Sequence, residues 1–222
     1  MKIIGHRGAR GLSPENTIAS IEKAIEHGVD EVEVDVRMTK DHVAVLHHDS
    51  TLIDPSGTEV TIKHTTYAEL LRHKPDLAAL DHAIRVIGHR CPLIIEIKPK
   101  VNPEEIINII RFYLAKGWRI EEFRVASFDY KILQQVRQAL PDISIIVNEA
   151  WSSIRARIRC RKLGTRRISI SQLALWRGFL KAMHKSGYKV SPFSINSVRR
   201  ARKWRPYLYG AITDYPDRFE KK

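Results

Sequence analysis

This chain of 222 residues has few of the features that mark secreted, zinc-binding or membrane-spanning proteins. Its two cysteines, Cys91 and Cys160, lie far apart and outside any C-x-x-C spacing, which argues against a disulfide framework and against a zinc site. No apolar run approaches the roughly 20 residues of a membrane helix, and the first residues already resemble a strand, which leaves no signal peptide. We therefore expect a cytoplasmic protein with a single domain over residues 1–222.

Acidic residues are scarce in the last third of the chain. Through Glu149 there are 19 Lys and Arg residues against 22 Asp and Glu, whereas from Ala150 onward there are 19 against 3. The basic residues concentrate at 155–162 and 199–205, both on predicted helices. One interpretation is a solvated basic surface, and the other is attraction to an anionic partner such as acidic lipid headgroups or nucleic acid. Three tryptophans near these runs fit either a membrane interface or the core: Trp151, Trp176 and Trp204.

The chain opens on a short strand that runs into a glycine-flanked His-Arg pair, Gly5-His6-Arg7-Gly8. The segment Ser13–Thr17 then predicts a helix start, with Ser13 as the cap and Pro14 at the first helical position. A proton-transfer residue beside a fixed cation, held at a strand end, suits phosphate-ester chemistry. The alternative is a glycine-rich turn with a surface His-Arg pair.

Residues 31–36 alternate acidic and apolar side chains, so Glu31, Glu33 and Asp35 share one face of a predicted strand. If the apolar face packs outward against helices, the three carboxylates point inward. Buried carboxylates require a cation, a network of donors or a proton.

Two later strands end in further titratable groups. One is followed by His47, His48 and Asp49, and another places Glu96 and Lys98 on one face. Carboxylates that converge from neighbouring strand ends suit a hard divalent cation with oxygen ligands, such as Mg²⁺ or Ca²⁺.

Strand and helix patterns alternate along the chain, which favours a parallel sheet with helices outside. Nine strands are predicted near 2–5, 31–37, 43–48, 93–98, 123–127, 143–148, 166–170, 189–195 and 210–213. The gap before 43–48 is too short for a parallel crossover of about a dozen residues, so this strand is predicted to fold back antiparallel on 31–37. The other eight close as a (β/α)8 barrel with the site at the strands' carboxyl ends. Residues 51–65 are predicted to form a turn-rich loop near the mouth.

Five short motifs, taken in order, resemble the glycerophosphodiester phosphodiesterase family: G-H-R-G, P-E-N-T, E-V-D-V, H-D and E-I-K. Weaker matches extend the resemblance over nearly the whole chain: Ser127-Phe128, Phe193-Ser194-Ile195-Asn196 and Ile212–Pro216. The resemblance implies a TIM barrel of the phospholipase C-like phosphodiesterase type. It also implies metal-dependent hydrolysis of glycerophosphodiesters to glycerol 3-phosphate and an alcohol. Asn196 and Asp214 end strands, where lining the mouth and forming a cap or turn explain them about equally well.

Carried onto this sequence, the resemblance assigns an acid/base pair, three metal ligands and two phosphate-binding cations. In that order these are His6 and His48; Glu33, Asp35 and Glu96; Arg7 and Lys98. Three further residues have supporting roles: Asp49, Asn16 and Phe193, the last replacing the usual Trp as an apolar wall for the glycerol end. His47 leaves the second histidine ambiguous by one residue, and the histidine directly before the Asp is preferred. Attack by the substrate's own hydroxyl, giving a cyclic phosphate, and direct attack by water both stay open.

Three functions remain open on the sequence. The resemblance favours a small glycerophosphodiester as substrate and a Mg²⁺ or Ca²⁺ ion as cofactor. If the basic C-terminal helices make peripheral contact with an anionic membrane, the substrate becomes a lysophospholipid or another lipid headgroup diester, and the activity is of the lysophospholipase D type. A basic binding protein without turnover is the least favoured, and nucleic acid is not expected as a partner.

Overall fold

Strands and helices alternate along the chain in a computed structural model that describes residues 1–219. The strands are β1 (Lys2–Gly5), β2 (Glu31–Met38), β3 (Ala44–Leu46), β4 (Thr51–Ile53), β5 (Glu59–Thr61), β6 (Leu93–Ile97), β7 (Phe123–Ser127), β8 (Ser144–Glu149), β9 (Arg167–Ser171), β10 (Lys189–Phe193) and β11 (Gly210–Thr213). The α-helices are α1 (Ile18–Glu26), α2 (Tyr67–His73), α3 (Leu80–Ile87), α4 (Glu104–Ala115), α5 (Tyr130–Ala139), α6 (Ser153–Lys162), α7 (Arg177–Lys185) and α8 (Val198–Trp204).

Eight parallel strands form a nearly closed barrel in the order β10-β9-β8-β7-β6-β2-β1-β11. Two backbone hydrogen bonds bridge the seam between β10 and β11: the Tyr209 amide donates to the Val190 carbonyl at 2.9 Å, and the Ile195 amide to the Ile212 carbonyl at 2.8 Å. Strand β3 pairs antiparallel with β2. The predicted (β/α)8 barrel and its one antiparallel strand are therefore confirmed.

The barrel wall is built from the alternation seen in β2. Val32, Val34 and Val36 are fully buried in the main apolar core, which they share with residues of the surrounding helices. The acidic residues between them face the barrel interior, as predicted. A smaller apolar layer also lies inside the barrel: Ile4, Ile94, Ala126, Ile146 and Ile212. Both cysteines are buried and form no disulfide.

The amino-terminal end of the barrel is closed by a buried carboxylate with several donors. Glu31 lies 2.9 Å from the Lys2 ammonium, 3.2 Å from Arg124 Nε and 3.1 Å from an Arg167 nitrogen. The Tyr209 hydroxyl donates to it at 3.1 Å. Burial acts to raise the pKa of Glu31, but Arg167 and Arg124 hold that pKa below its ordinary value. This end of the barrel is therefore closed by a plug in which the buried carboxylate is fully compensated by cations.

The predicted start of the first helix is wrong. Helix α1 begins at Ile18, and Thr17, not Ser13, caps it by accepting from the Ser20 amide. The chain before it turns at Asn16, whose φ is 57°, so the backbone cannot yet be helical at that residue. The hydrogen bonds of Asn16 with Asp35 hold this loop against the barrel, and the helix starts four residues later than predicted.

The prediction of a loop over residues 51–65 is wrong, because this region contains the hairpin β4–β5. Asp54 organises its turn by accepting from the backbone amides of Ser56 and Thr58, both at 2.9 Å. Beneath it lies a small apolar cluster: Val45, Leu52, Ile62, Leu70 and Leu77. The alternating pattern was too short to separate from turn residues in the sequence. Within residues 1–219, no helix has the length and apolar character needed to cross a membrane.

Candidate active site

A cavity of about 280 Å³ opens at the carboxyl ends of the barrel strands. Most of its charged lining comes from β1, β2 and β6 and the loops that follow them, and its residues include His6, Glu33, Asp35, Glu96 and Lys98. Arg7 and His48 also line it. The structure thus brings all seven residues of the predicted acid/base, metal and phosphate sets to one cavity.

Three buried carboxylates form a cluster at the centre of this lining. One carboxylate oxygen from each of Glu33, Asp35 and Glu96 lies within 4.8 Å of the others. The cluster follows from strand register, because Asp35 on β2 is paired directly with Glu96 on β6. An all-oxygen set in which three carboxylates converge fits a hard divalent cation such as Mg²⁺ or Ca²⁺.

The negative charge of this cluster is not balanced by the protein's own cations. Burial and the neighbouring Asp35 and Glu96 raise the pKa of Glu33 well above its ordinary value. Burial likewise raises the pKa of Glu96. Burial opposes ionisation of Asp35 too, but Lys98 and Arg7 hold the pKa of this carboxyl below its usual range. A dication would supply the positive charge that two of the three carboxylates lack.

Two cations are fixed against the cluster. The Lys98 ammonium lies 2.6 Å from an Asp35 oxygen and 2.5 Å from a Glu96 oxygen. Arg7 Nε lies 2.9 Å from the other Asp35 oxygen, and the same guanidinium donates to Glu15 at 2.7 Å. Arg7 has a φ of 52°. The next residue is Gly8, where a Cβ would come within 2.3 Å of the Ser20 hydroxyl, so the chain can pass α1 this closely only as glycine.

His6 is held by a partner that sequence reasoning left undecided. Its Nδ1 lies 2.6 Å from Asp214 Oδ1, and Asn196 donates to the other Asp214 oxygen at 2.7 Å. Burial lowers the pKa of His6 while the Asp214 hydrogen bond opposes that change. Although burial raises the pKa of Asp214, the hydrogen bonds from His6 and Asn196 bring it to about 2. Since the carboxylate engages Nδ1, the remaining ring nitrogen, Nε2, is left for the cavity.

His48, not His47, lines the cavity. Its Nδ1 lies 2.7 Å from Asp49 Oδ1, so this imidazole is oriented in the same manner as His6. Arg37 donates twice to the His48 carbonyl, at 2.8 and 3.1 Å, and fixes the loop. Burial lowers the pKa of His48, and the nearby cations lower it further. His47 instead lines a separate depression with Asn16.

Asn16 and Phe193, two of the predicted supporting residues, both adjoin the site. Buried Asn16 donates to Asp35 Oδ2 at 3.0 Å and accepts from the Asp35 amide at 3.0 Å, so it orients a carboxylate of the cluster. Phe193 lines the cavity with Phe128, their ring centres 6.1 Å apart in an edge-to-face arrangement. The cavity therefore has a charged side and an aromatic side.

Asn148 is a site residue that the sequence did not reveal. It donates to Glu96 Oε2 at 2.9 Å, while its own buried carbonyl oxygen has no hydrogen-bond partner within residues 1–219. A buried acceptor without a donor is costly, and this one belongs to a residue of the cavity lining, where a substrate hydroxyl would satisfy it. The only sequence signal was its position near the end of a predicted strand.

A parallel barrel whose carboxyl-end cavity combines two imidazoles, three carboxylates and two cations is the architecture of a hydrolase for phosphate esters. The chain belongs to the glycerophosphoryl diester phosphodiesterase family, whose family model matches residues 6–218. The resemblance noted in the sequence is therefore confirmed.

Individual relatives agree with this membership. A glycerophosphodiester phosphodiesterase of Bacillus altitudinis is 25% identical over 240 residues, covering 99% of this chain and 97% of that protein. Human lysophospholipase D GDPD1 is 32% identical over 163 residues, covering 65% of this chain and 51% of its own length. Among solved structures, an Oleispira antarctica phosphodiesterase in complex with the product sn-glycerol-3-phosphate superposes with a TM-score of 0.86 at 27% identity, covering 98% of this chain and 94% of that one.

Proposed function

We propose that this protein hydrolyses glycerophosphodiesters to glycerol 3-phosphate and an alcohol, with a divalent cation held by Glu33, Asp35 and Glu96. The observation that carries the proposal is that both imidazoles and the whole carboxylate cluster line one cavity of about 280 Å³. The product in the similar Oleispira antarctica structure supports the same substrate class.

In this proposal His6 and His48 divide the proton transfers. One imidazole accepts a proton from the attacking hydroxyl, and the other donates a proton to the departing alkoxide. Asp214 and Asp49 each engage Nδ1, so each histidine presents its Nε2 to the substrate. Attack by the neighbouring glycerol hydroxyl and attack by water both fit this arrangement.

The charged side of the cavity binds the phosphodiester. Arg7 and Lys98 neutralise the phosphoryl oxygens as their charge grows in the transition state. A bound Mg²⁺ or Ca²⁺ would supply Lewis-acid stabilisation of the same oxygens. Phe193 and Phe128 form an apolar wall beside the substrate, and the Asn148 carbonyl accepts from a glycerol hydroxyl.

The direct test is an assay of glycerol 3-phosphate release from glycerophosphocholine, with Mg²⁺ or Ca²⁺ and then with EDTA. We expect metal-dependent turnover that EDTA abolishes, and a decrease of about 10²–10⁴-fold in kcat for His6→Ala. Phe112→Ser, a surface substitution on α4, is the matched control and should be fully active. Normal turnover by His6→Ala would contradict the proton-transfer role of this imidazole.

A lysophospholipid is the second candidate substrate. The aromatic side of the cavity, formed by Phe128 and Phe193, favours it because the acyl chain on the glycerol of a lysophospholipid needs an apolar surface next to the phosphate site. The two candidate substrates are separated by comparing kcat/KM for two reactions. One is release of acylglycerol 3-phosphate from lysophosphatidylcholine, and the other is release of glycerol 3-phosphate from glycerophosphocholine. A basic protein without turnover is disfavoured by the complete set of acid/base and ligand residues in one cavity.

A further inference from the structure

Exposed apolar side chains are concentrated at one part of the barrel mouth. Within residues 1–219, four of the large apolar side chains that are exposed lie on the loops after β8 and β9 or at the start of α6. These four, which together form an apolar rim, are Trp151, Ile154, Leu173 and Trp176, each between 67% and 75% exposed. Exposure of this extent by four large apolar side chains on adjacent loops is not ordinary surface scatter.

The apolar rim adjoins the aromatic side of the cavity. Strands β8 and β9 are hydrogen-bonded neighbours, and both loops leave from their carboxyl ends, where the cavity opens. Phe128 follows β7 and Phe193 ends β10, so these two rings flank the same pair of strands. The apolar rim therefore stands on the loops of the two strands that lie between the strands carrying these rings.

Exposed positive charge lies beside the apolar rim, in a part of the chain that is strongly basic. From residue 150 to residue 219 the chain has 17 Lys and Arg residues and 2 acidic ones. One of these acids, Asp214, is engaged by His6. Arg157 on α6 and Arg177 at the start of α7 are both exposed. Exposed tryptophan and aliphatic side chains beside exposed arginines are a combination that binds the interface of an anionic bilayer.

We propose that the apolar rim docks the barrel mouth onto an anionic lipid bilayer, so that a lysophospholipid enters the cavity directly from the membrane surface. This inference rests on the proposed diesterase function for its substrate but not for its docking contact. A nucleic-acid surface is the poorer fit because Ile154 and Leu173 can neither stack on bases nor pair with phosphates.

The docking contact is tested by co-sedimentation of the full chain with vesicles of phosphatidylglycerol and phosphatidylcholine, in EDTA and without substrate. We expect binding that falls with added salt and is weak for phosphatidylcholine alone. The variant Trp151→Ser/Trp176→Ser should lower the partition coefficient by about tenfold or more, and Arg157→Gln/Arg177→Gln should weaken binding to the anionic vesicles selectively. Phe112→Ser, which removes an aromatic ring 54% exposed on α4, is the matched control and should bind as wild type.

Activity separates this inference from the proposed function. The double tryptophan variant should hydrolyse soluble glycerophosphocholine within about twofold of wild type, yet lose most of its turnover of lysophospholipid in anionic vesicles. Equal vesicle binding by wild type and that variant would overturn the inference, as would binding of wild type to single-stranded RNA but not to vesicles. A wild-type protein that binds vesicles but hydrolyses no diester would instead overturn the proposed function alone.

Discussion

Strand β2 contributes buried carboxylates to both ends of the barrel, and the two ends treat them in opposite ways. At the amino-terminal end Glu31 meets Lys2, Arg124 and Arg167, and its pKa is lowered. At the carboxyl end three carboxylates share two cations, and the pKa of Glu33 is raised well above its ordinary value.

The difference teaches which end is built for stability and which for binding. A carboxylate whose charge is already neutralised has nothing to offer a ligand, and its partners lock the strands together. A cluster with too little positive charge is destabilising by itself and becomes favourable only when a cation arrives. Residues two positions apart on one strand face can therefore have opposite purposes.

The largest expected effect comes from Glu33→Gln, which removes one carboxylate from the cluster at the carboxyl end of the barrel. Loss of one carboxylate ligand should decrease kcat/KM for glycerophosphocholine by about 10³-fold, more than the roughly 10–100-fold typical of an outer-shell partner. Without metal the variant should melt no lower than wild type, because a repelling charge has gone. Wild-type activity in Glu33→Gln would show that this carboxylate is not a ligand.

Glu31→Gln removes the buried carboxylate at the amino-terminal end of the barrel and should affect stability instead of activity. It leaves buried arginines unpaired, which costs about 3–5 kcal/mol of unfolding free energy, measurable by urea denaturation. Because the folded pKa of Glu31 lies below 4.5, its contribution is present above that pH and is lost as the pH falls through the folded value. The cost of the substitution should therefore shrink in acid.

The matched control for that experiment is Glu22→Gln, which removes a surface ion pair with Arg90 and should cost under about 1 kcal/mol. Folded Glu31→Gln should keep its kcat/KM within about twofold. A tenfold loss of activity in correctly folded Glu31→Gln would mean that the two ends are not separate in function.

Addition of metal sharpens the comparison. At a metal concentration 100-fold above Kd, Mg²⁺ or Ca²⁺ should stabilise the wild type by about 2.7 kcal/mol, or roughly 5–10 °C in Tm for a chain of this size. The gain should persist in Glu31→Gln and vanish in Glu33→Gln. A gain that survives in Glu33→Gln would place the ion elsewhere.

Asp214→Asn tests whether the Asp214 carboxylate orients the His6 imidazole for proton transfer. We expect kcat to fall about 10–100-fold, because the carboxylate no longer selects the ring tautomer. The substitution also removes an interaction that raises the pKa of His6, so the limb of the pH–rate profile that reports His6 should move to lower pH. An unchanged profile with a lower kcat would indicate a purely structural role.

The smallest effect on activity is expected from Asn148→Leu, a substitution of the residue that donates to Glu96 Oε2. The loss of one substrate hydrogen bond corresponds to a rise of about 3–10-fold in KM, and the loss of the donor to Glu96 should appear separately, as a lower kcat. Ser127→Ala is a useful comparison, since the Ser127 hydroxyl donates to the Ile97 carbonyl and accepts from the Asp129 amide, and Ser127 does not line the cavity. A KM for Asn148→Leu equal to that of wild type would remove Asn148 from the binding set.

The barrel was predictable because its signals are local. The alternation of valine and acid in β2 placed the carboxylates inside, and the short gap before β3 required an antiparallel return. The motifs led to the cavity residues, whose individual roles stay predictions until the variants are assayed. By contrast, the bond between His6 and Asp214 joins residues 208 positions apart, and Asn148 on β8 meets Glu96 on β6 across the intervening strand β7. Such contacts depend on the pairing of the first strand with the last and on the curvature of the sheet, which no local pattern encodes.

The matched hydrogen bonds of the two histidines have a final consequence. Asp214 and Asp49 contact the same ring atom in each imidazole, so both rings offer Nε2 to the phosphate, although the side chain of Asp214 is largely buried and that of Asp49 is exposed. By microscopic reversibility, the residue that protonates one departing oxygen can activate the next incoming one. A ring-closing step and a ring-opening step could then proceed in a single cavity with no rearrangement of the protein.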